Sequence, residues 1–254
     1  MNEYVKSIIL ALVQGLTEFL PVSSSGHLLL LGRLGLMESS TALFLNLMLH
    51  MGTLLAVITV YRKRLYQLIR NPKSDYLLKL VIATIPTVIL AALFKFVLPD
   101  SLLEGKFVAV GFMITTVLLI SSELLRKKEL NGLLTYKNSL ITGIVQGIAV
   151  LPGISRSGST ISTLRFFNVS REAAADFSFL LSIPIIIGSA LVETVDVIRT
   201  DVVISWGPVA VGVAVSFVSG LIAIKLLLKF VKKYSFIPFG IYTGILAILC
   251  LIFL

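Results

Sequence analysis

Residues 138–159 read NSLITGIVQGIAVLPGISRSGS, and the fold of the whole chain turns on whether this stretch crosses a membrane or turns back within it. As a helix, Asn138 to Leu151 would be only about 21 Å long, short of a ~30 Å hydrocarbon core. Pro152 and Gly153 then break it, and a second short apolar piece runs on to Phe167. The pattern predicts a helix, a loop and a helix that enter and leave on one side. A shift of 132 residues lays Gln146–Ser159, QGIAVLPGISRSGS, on Gln14–His27, QGLTEFLPVSSSGH, without a gap. Gln14 falls on Gln146, Gly15 on Gly147, Ser23 on Ser155, Ser25 on Ser157 and Gly26 on Gly158. An offset near half the chain marks a duplicated unit.

The composition sets the solvent. Of 254 residues, 57% are hydrophobic and 14% charged, and the mean hydropathy is +1.00, outside the range of soluble domains. The N-terminus lacks a basic leader with a small-residue cleavage site and carries Gln14 and Glu18 instead, so it is expected to be mature sequence. The one cysteine, Cys250, excludes an internal disulfide framework or thiolate metal site. A net charge of +9 comes from juxtamembrane clusters without interleaved aromatics, which points to bilayer orientation and to no nucleic acid.

With the 138–159 stretch re-entrant, full spans fall near 42–61, 76–98, 107–125, 173–192, 205–227 and 237–254. Arg62, Lys63, Arg64, Arg70 and Lys73 then share one side with Arg126, Lys127, Lys128, Lys137, Lys229, Lys232 and Lys233. The opposite loops hold Asp100, Glu104, Glu193, Asp196 and Asp201. By the positive-inside rule the first side is cytoplasmic; a single crossing at 138–159 would reverse the bias. Each half has one hairpin and three spans, so the second half inserts upside down relative to the first. The expected fold is an all-α polytopic membrane protein with an inverted-topology repeat, about six full transmembrane helices and two re-entrant helix-loop-helix hairpins. It forms a single integral membrane domain over 1–254, with repeat one at about 1–130 and repeat two at about 133–254, multi-pass in the cell membrane.

Irregular backbone at membrane depth must be buried in protein or line a wet cavity. Two hairpins from opposite faces would therefore meet near the midplane, with Ser23 to His27 facing Ser155 to Thr160. Serines that cap a following half-helix leave free N–H groups and a positive helix end aimed inward, which is an anion site. Ser23, Ser25, Ser155, Ser157 and Thr160 are the candidate substrate-binding residues, and Arg156 adds a permanent cation suited to phosphate oxygens. Gln14 and Glu18 share one helix face and are the candidate metal ligands, able to hold Mg or Ca when substrate phosphates complete the shell. His27 is a candidate nucleophile on phosphorus or general acid, and Ser24 an alternative nucleophile that His27 would activate. Among the other polar residues, Asn46, Thr84 and Ser182 are expected to bridge helices, and Lys95, Lys225 and Glu123 to reach water near span ends. His50 reads as a satisfied mid-span residue, Pro86 and Pro184 as kinks, and Asp176 as a residue that could face the cavity.

QGLTEFLPVSSSGH together with LPGISRSGST at 151–160 resembles the paired motifs of the undecaprenyl-diphosphate phosphatase (UppP or BacA) family. The likeness covers nearly the whole chain, including DFSFLLSIP from Asp176. It implies a polyprenyl diphosphate lipid substrate, from which the terminal phosphate is removed to regenerate a monophosphate carrier for cell-wall or glycan precursors. It also implies divalent metal dependence and resistance to bacitracin, which sequesters the lipid diphosphate. The family's Glu-or-Gln and Glu fall on Gln14 and Glu18, its Ser and His on Ser24 and His27, and its second-motif Ser, Arg and Thr on Ser155, Arg156 and Thr160. Many members have Glu where Gln14 stands, so a two-carboxylate metal site is not expected. The SSSGH end also resembles the type 2 phosphatidic acid phosphatases, whose further motifs the chain lacks. The rival function is a lipid-phosphate flippase or anion transporter built on the same inverted repeat, and a third is an inactive lipid-diphosphate receptor; transport needs the cation and helix ends but no Ser24 or His27. Beyond substrate and membrane lipids, a homodimer is the partner that the size of the chain allows.

Overall fold

The computed structural model describes residues 1–36, 39–98, 107–125, 132–198 and 204–253. Among these it is all-helical, with α1 Glu3–Phe19, α2 Ser24–Arg33, α3 Ser39–Arg70, α4 Asp75–Val97, α5 Val108–Leu124, α6 Tyr136–Ile148, α7 Arg156–Phe166, α8 Arg171–Ile198, α9 Trp206–Phe230 and α10 Ile237–Phe253. The helices α3, α4, α8 and α9 are long and apolar enough to cross a membrane, and α5 and α10 are shorter apolar helices of 17 residues. Seventeen residues rise about 25 Å, the lower limit for a crossing. The return legs α2 and α7, with 10 and 11 residues, are far too short to cross. The chain is thus a multi-pass membrane protein with two helix-loop-helix hairpins, α1–α2 and α6–α7. Asp100, Glu104, Asp201, Arg126, Lys127 and Lys128 of the charge pattern lie outside the described residues.

Three of the spans extend past their expected ends: α8 runs to Ile198 and takes in Glu193 and Asp196, which were expected in a loop, α9 runs to Phe230 and takes in Lys229, and α3 runs to Arg70. Arg62, Lys63, Arg64 and Arg70 sit on the last turns of α3 instead of in a loop. Arg, Lys, Leu and Gln all favour helix, and no breaker intervenes before Asn71-Pro72.

The surface is apolar and the interior mixes apolar side chains with many polar ones, unlike a water-soluble protein. Ile89, Phe96, Ile245 and Ile252 are exposed, whereas Ser7, Gln14, Thr87, Thr115, Gln146, Ser178 and Ser216 are buried. Helices that meet in lipid gain little from apolar burial and rely on close approach and interhelical hydrogen bonds. The first leg of each hairpin finds its partner in the other half of the chain: α1 packs along α9, and α6 along α4. At Gly143 a Cβ would lie 2.0 Å from the Ala83 carbonyl oxygen, so only glycine lets α6 approach α4 this closely. Thr87 on α4 donates to the Gly143 carbonyl (2.8 Å) and accepts from Gln146 Nε2 (3.1 Å). On the other side Ser7 donates to Pro208 O (2.7 Å) and Ser216 to Leu49 O (2.8 Å). The helices α5 and α10 are linked by Thr116 and Thr243 (2.9 Å).

Three expected bridges do not form. Thr84 and Ser182 bond back to Leu80 O and Phe179 O of their own helices, the usual alternative for a helical hydroxyl, and Asn46 meets His50 on its own helix through its backbone carbonyl (2.9 Å). Pro86 and Pro184 lie within α4 and α8.

Glu123 also departs from its expected place. It is buried, takes both Nε (2.9 Å) and Nη2 (2.6 Å) of Arg171, and lies 3.6 Å from Nε of the fully buried Arg165. The reason is the shortness of α7, whose end brings Arg165, and then Arg171 at the start of α8, against the end of α5. Removing one partner of a buried ion cluster costs about 3–5 kcal/mol. Glu123→Ala is therefore expected to lower the thermal unfolding midpoint in detergent by more than Glu123→Gln does. An unchanged midpoint in Glu123→Ala would show that this cluster does not hold the hairpin in place.

Candidate active site

Gln14 and Glu18 lie one turn apart near the end of α1, both buried. Just beyond them Ser23 adopts φ 71°, ψ 93°, a strained backbone for a non-glycine residue that costs on the order of 1–3 kcal/mol. The tight turn has three consequences. Ser23 Oγ caps α2 by accepting from Gly26 N (3.3 Å), the Ser23 carbonyl accepts from the ring Nδ1 of His27 (2.7 Å), and Ser24 swings back onto Glu18, donating from Oγ to Oε2 at 2.6 Å. Gln14 Nε2 donates to the same oxygen (3.0 Å).

The second hairpin repeats the design. Ser155 Oγ caps α7 by accepting from Gly158 N (3.0 Å), and Ser155 N donates to Thr115 Oγ1 (2.9 Å). Arg156, the first residue of α7, donates from Nη2 to Glu18 Oε1. The tips touch again where Ser157 Oγ donates to Leu20 O (3.1 Å). The offset of 132 maps Ser24 onto Arg156, so the first residues of both return legs converge on one carboxylate. Glu18 thus collects a hydroxyl from its own hairpin and a guanidinium from the other. Two buried polar atoms beside it, Arg156 Nη1 and Gln14 Oε1, have no hydrogen-bond partner.

His50, set aside in the sequence as a satisfied mid-span residue, lies at this site. Its Nδ1 meets Asn46 O (2.9 Å) and its Nε2 is 3.7 Å from Glu18 Oε2. The chain has only two histidines, a scarcity that was the available signal. Tyr242 on α10 was missed too, because nothing in an apolar helix marks which face turns inward. Its hydroxyl lies 2.7 Å from His27 Nε2, and the two rings stack at 5.7 Å. Phe112 closes the other side of His27 edge-on (5.7 Å).

The expected activation of Ser24 by His27 is replaced by a different pairing. Both His27 nitrogens are engaged elsewhere, and the partner of Ser24 is Glu18. Of the candidate substrate-binding residues, Ser25 is exposed, while Ser23, Ser155, Ser157 and Thr160 are buried. Ser23 and Ser155 cap their helices, and Thr160 ties α7 to Ser178 of α8 (2.6 Å). Asp176 accepts from Tyr61 OH (2.5 Å) and lines a separate cavity.

Among the described residues no three His, Cys, Asp or Glu side chains gather to hold a metal. Glu18 with the unsatisfied Gln14 Oε1 offers one carboxylate and one amide oxygen. That donor set fits a hard divalent cation only when phosphate oxygens and water complete the shell, the ordinary case for Mg.

A family model described as bacitracin resistance protein BacA matches residues 7–249. The chain belongs to the BacA family. Among curated relatives, Undecaprenyl-diphosphatase 4 of Bacillus cereus is 39% identical over 98% of this chain and 96% of its own length. Undecaprenyl-diphosphatase of Alcanivorax borkumensis is 36% identical over 99% of both chains, and that of Methanosphaera stadtmanae is 35% identical over 99% of this chain and 98% of its own. The resemblance carried by the two hairpin motifs is thereby borne out.

A carbonyl can only accept, so Ser23 O and Asn46 O each require a proton on Nδ1 of the histidine they face. Nitrogen-15 spectra of histidine-labelled protein are expected to show a proton on Nδ1 of both rings, with His27→Gln assigning the peaks. An Nε2–H ring at position 27 would overturn the pairing of Nδ1 with the Ser23 carbonyl.

Proposed function

We propose that the chain is an undecaprenyl-diphosphatase, a membrane hydrolase that converts undecaprenyl diphosphate to the monophosphate carrier lipid and phosphate. Family membership and the names of the relatives support the reaction. The observation that carries the mechanism is the convergence of Ser24 and Arg156 on Glu18. Recycling the carrier supports precursor export, and consuming the diphosphate removes the lipid that bacitracin sequesters.

Ser24 Oγ attacks the terminal phosphorus while its proton passes to Glu18 Oε2, which already accepts that hydrogen bond. The bond from phosphorus to the bridging oxygen breaks and the lipid monophosphate leaves. Water then attacks the phosphoserine, and phosphate departs as the proton returns to Ser24. Arg156 Nη1, buried without a partner, and the N-terminal ends of α2 and α7 stabilise charge on the phosphoryl oxygens. His27 presents Nε2 to the Tyr242 hydroxyl, which favours proton transfer over direct attack on phosphorus. Glu18 and Gln14 would hold a divalent metal, Mg or Ca, which when bound supplies further charge neutralisation to the diphosphate.

The test is phosphate release from polyprenyl diphosphate by detergent-purified protein with Mg or Ca. Ser24→Ala and Glu18→Ala are each expected to lose roughly 10²–10⁴-fold in rate, with folded yield of Ser24→Ala unchanged. Tyr242→Phe keeps the ring stack and is expected to lose about tenfold, the scale of one hydrogen bond, mainly in kcat. Release at the wild-type rate from Ser24→Ala removes Ser24 as nucleophile, and no release from wild type removes the function.

A further inference from the structure

A second constellation lies at the end of the molecule that carries the basic turns of α3. A cavity of about 450 Å³ opens there, lined by Tyr61 and Arg64 of α3, Tyr76 and Lys79 of α4, and Asp176 and Leu180 of α8. Tyr61 is eleven residues along α3 from His50, a rise of about 16 Å. Buried Phe19, next to Glu18, packs edge-on against buried Phe179 (5.4 Å), which in turn packs against Tyr61 (6.4 Å). A layer of aromatic rings therefore separates this cavity from the Glu18 cluster, and the proposed hydrolysis makes no use of its polar groups.

The polar groups are pre-arranged. The Arg64 guanidinium lies over Tyr76, its central carbon 4.7 Å from the ring centroid, and its N–H groups find no acceptor among the described residues. Lys79 is ion-paired to Asp75 and lies 5.4 Å from the ring centroid of Tyr136. The same cavity is lined by a carboxylate, Asp176, which accepts from the Tyr61 hydroxyl at 2.5 Å. A fully deprotonated anion would be attracted by Arg64 and Lys79 but repelled by Asp176. An anion that keeps a proton satisfies all three, because its oxygens accept from the cations while its hydroxyl donates to the carboxylate. Phosphate near neutral pH is such an anion, and sulfate is not.

We propose that this cavity is a binding site for a phosphate group that still carries a proton, either free hydrogen phosphate or the head of a lipid monophosphate. Both sources are products of the reaction proposed above. That link rests on the proposed function, whereas the binding chemistry does not.

Isothermal titration of inorganic phosphate into the full chain in detergent tests it. The double variant Glu18→Gln/Arg156→Gln serves as background, since it silences the catalytic cluster without leaving a lone buried charge. Phosphate is expected to bind this background, to bind roughly tenfold or more weakly once Arg64→Gln is added, and to resist competition by equal sulfate. Adding Asp176→Asn is expected to let sulfate compete. No binding in the background, binding indifferent to Arg64→Gln, or sulfate binding as well as phosphate would each overturn the proposal. If the double variant does not fold, the same reading comes from the wild type, where Arg64→Gln should remove one of two phosphate sites and an unchanged isotherm overturns the proposal. A short-chain prenyl monophosphate separates the sources. Binding at least tenfold tighter than phosphate identifies a lipid head, and equal or weaker binding identifies free phosphate. Because no turnover is measured, failure of phosphate binding leaves the hydrolase reading intact, and failure of phosphate release leaves this site intact.

Discussion

One buried carboxylate organises the centre of this protein. Glu18 is 7% exposed, and an isolated ionised carboxylate in so dry a place is too costly to persist unless it is paired and hydrogen-bonded. Its own hairpin supplies only neutral donors, from Gln14 and Ser24. The cation comes from Arg156, 138 residues further along the chain. Neither hairpin tip is electrostatically complete alone, so the ion pair ties the two halves together at the point where the backbone is least regular.

A second constraint is the backbone at those tips. Lipid cannot satisfy free amides, and the protein satisfies them with side chains from both halves. Ser23 and Ser155 cap the return legs, Thr115 receives the Ser155 amide, and Ser157 reaches across to Leu20 O. The pairs Ser23–Ser25 and Ser155–Ser157 sit at the same 3.3 Å in each hairpin. The serine-rich composition that sets both motifs apart from lipid-soluble sequence is therefore partly structural, and four of the expected substrate ligands, Ser23, Ser155, Ser157 and Thr160, have their hydroxyls committed to the scaffold.

What was legible in the sequence follows from these constraints. Short legs around Pro-Gly and Pro-Val-Ser, capping serines and an arginine at membrane depth are local signals, and they place the hairpins and most of the Glu18 cluster. Lateral packing leaves no such trace. The helices α5 and α10 are apolar around most of their circumference, so periodicity does not say that Phe112 and Tyr242 turn toward His27. Glu123 looked like a span-end residue because distance along a helix reports depth only when nothing covers its end, and Arg165 and Arg171 cover this one. Threonine and serine have the same ambiguity. Thr84 bonds to its own helix while Thr87, three residues on, reaches Gly143, and only the position of α6 decides between them.

The correspondence between the halves also shows why two similar hairpins make one site. At the offset of 132, Val150 stands where Glu18 would be, Arg156 where Ser24 is, and Ser159 where His27 is. A second carboxylate at 150 would compete for the single guanidinium, and a second arginine at 24 would leave excess buried charge around Glu18. With the charges split, each half keeps the capped helix end that favours an anion, while acid and base are divided so that the pair is neutral at rest. A diphosphate brings its own negative charge to that neutral pair. The partnerless Nη1 of Arg156 and the two helix ends then meet a load that Glu18 does not already balance, and binding and orientation of the phosphoryl group follow from the same asymmetry that holds the two hairpins together.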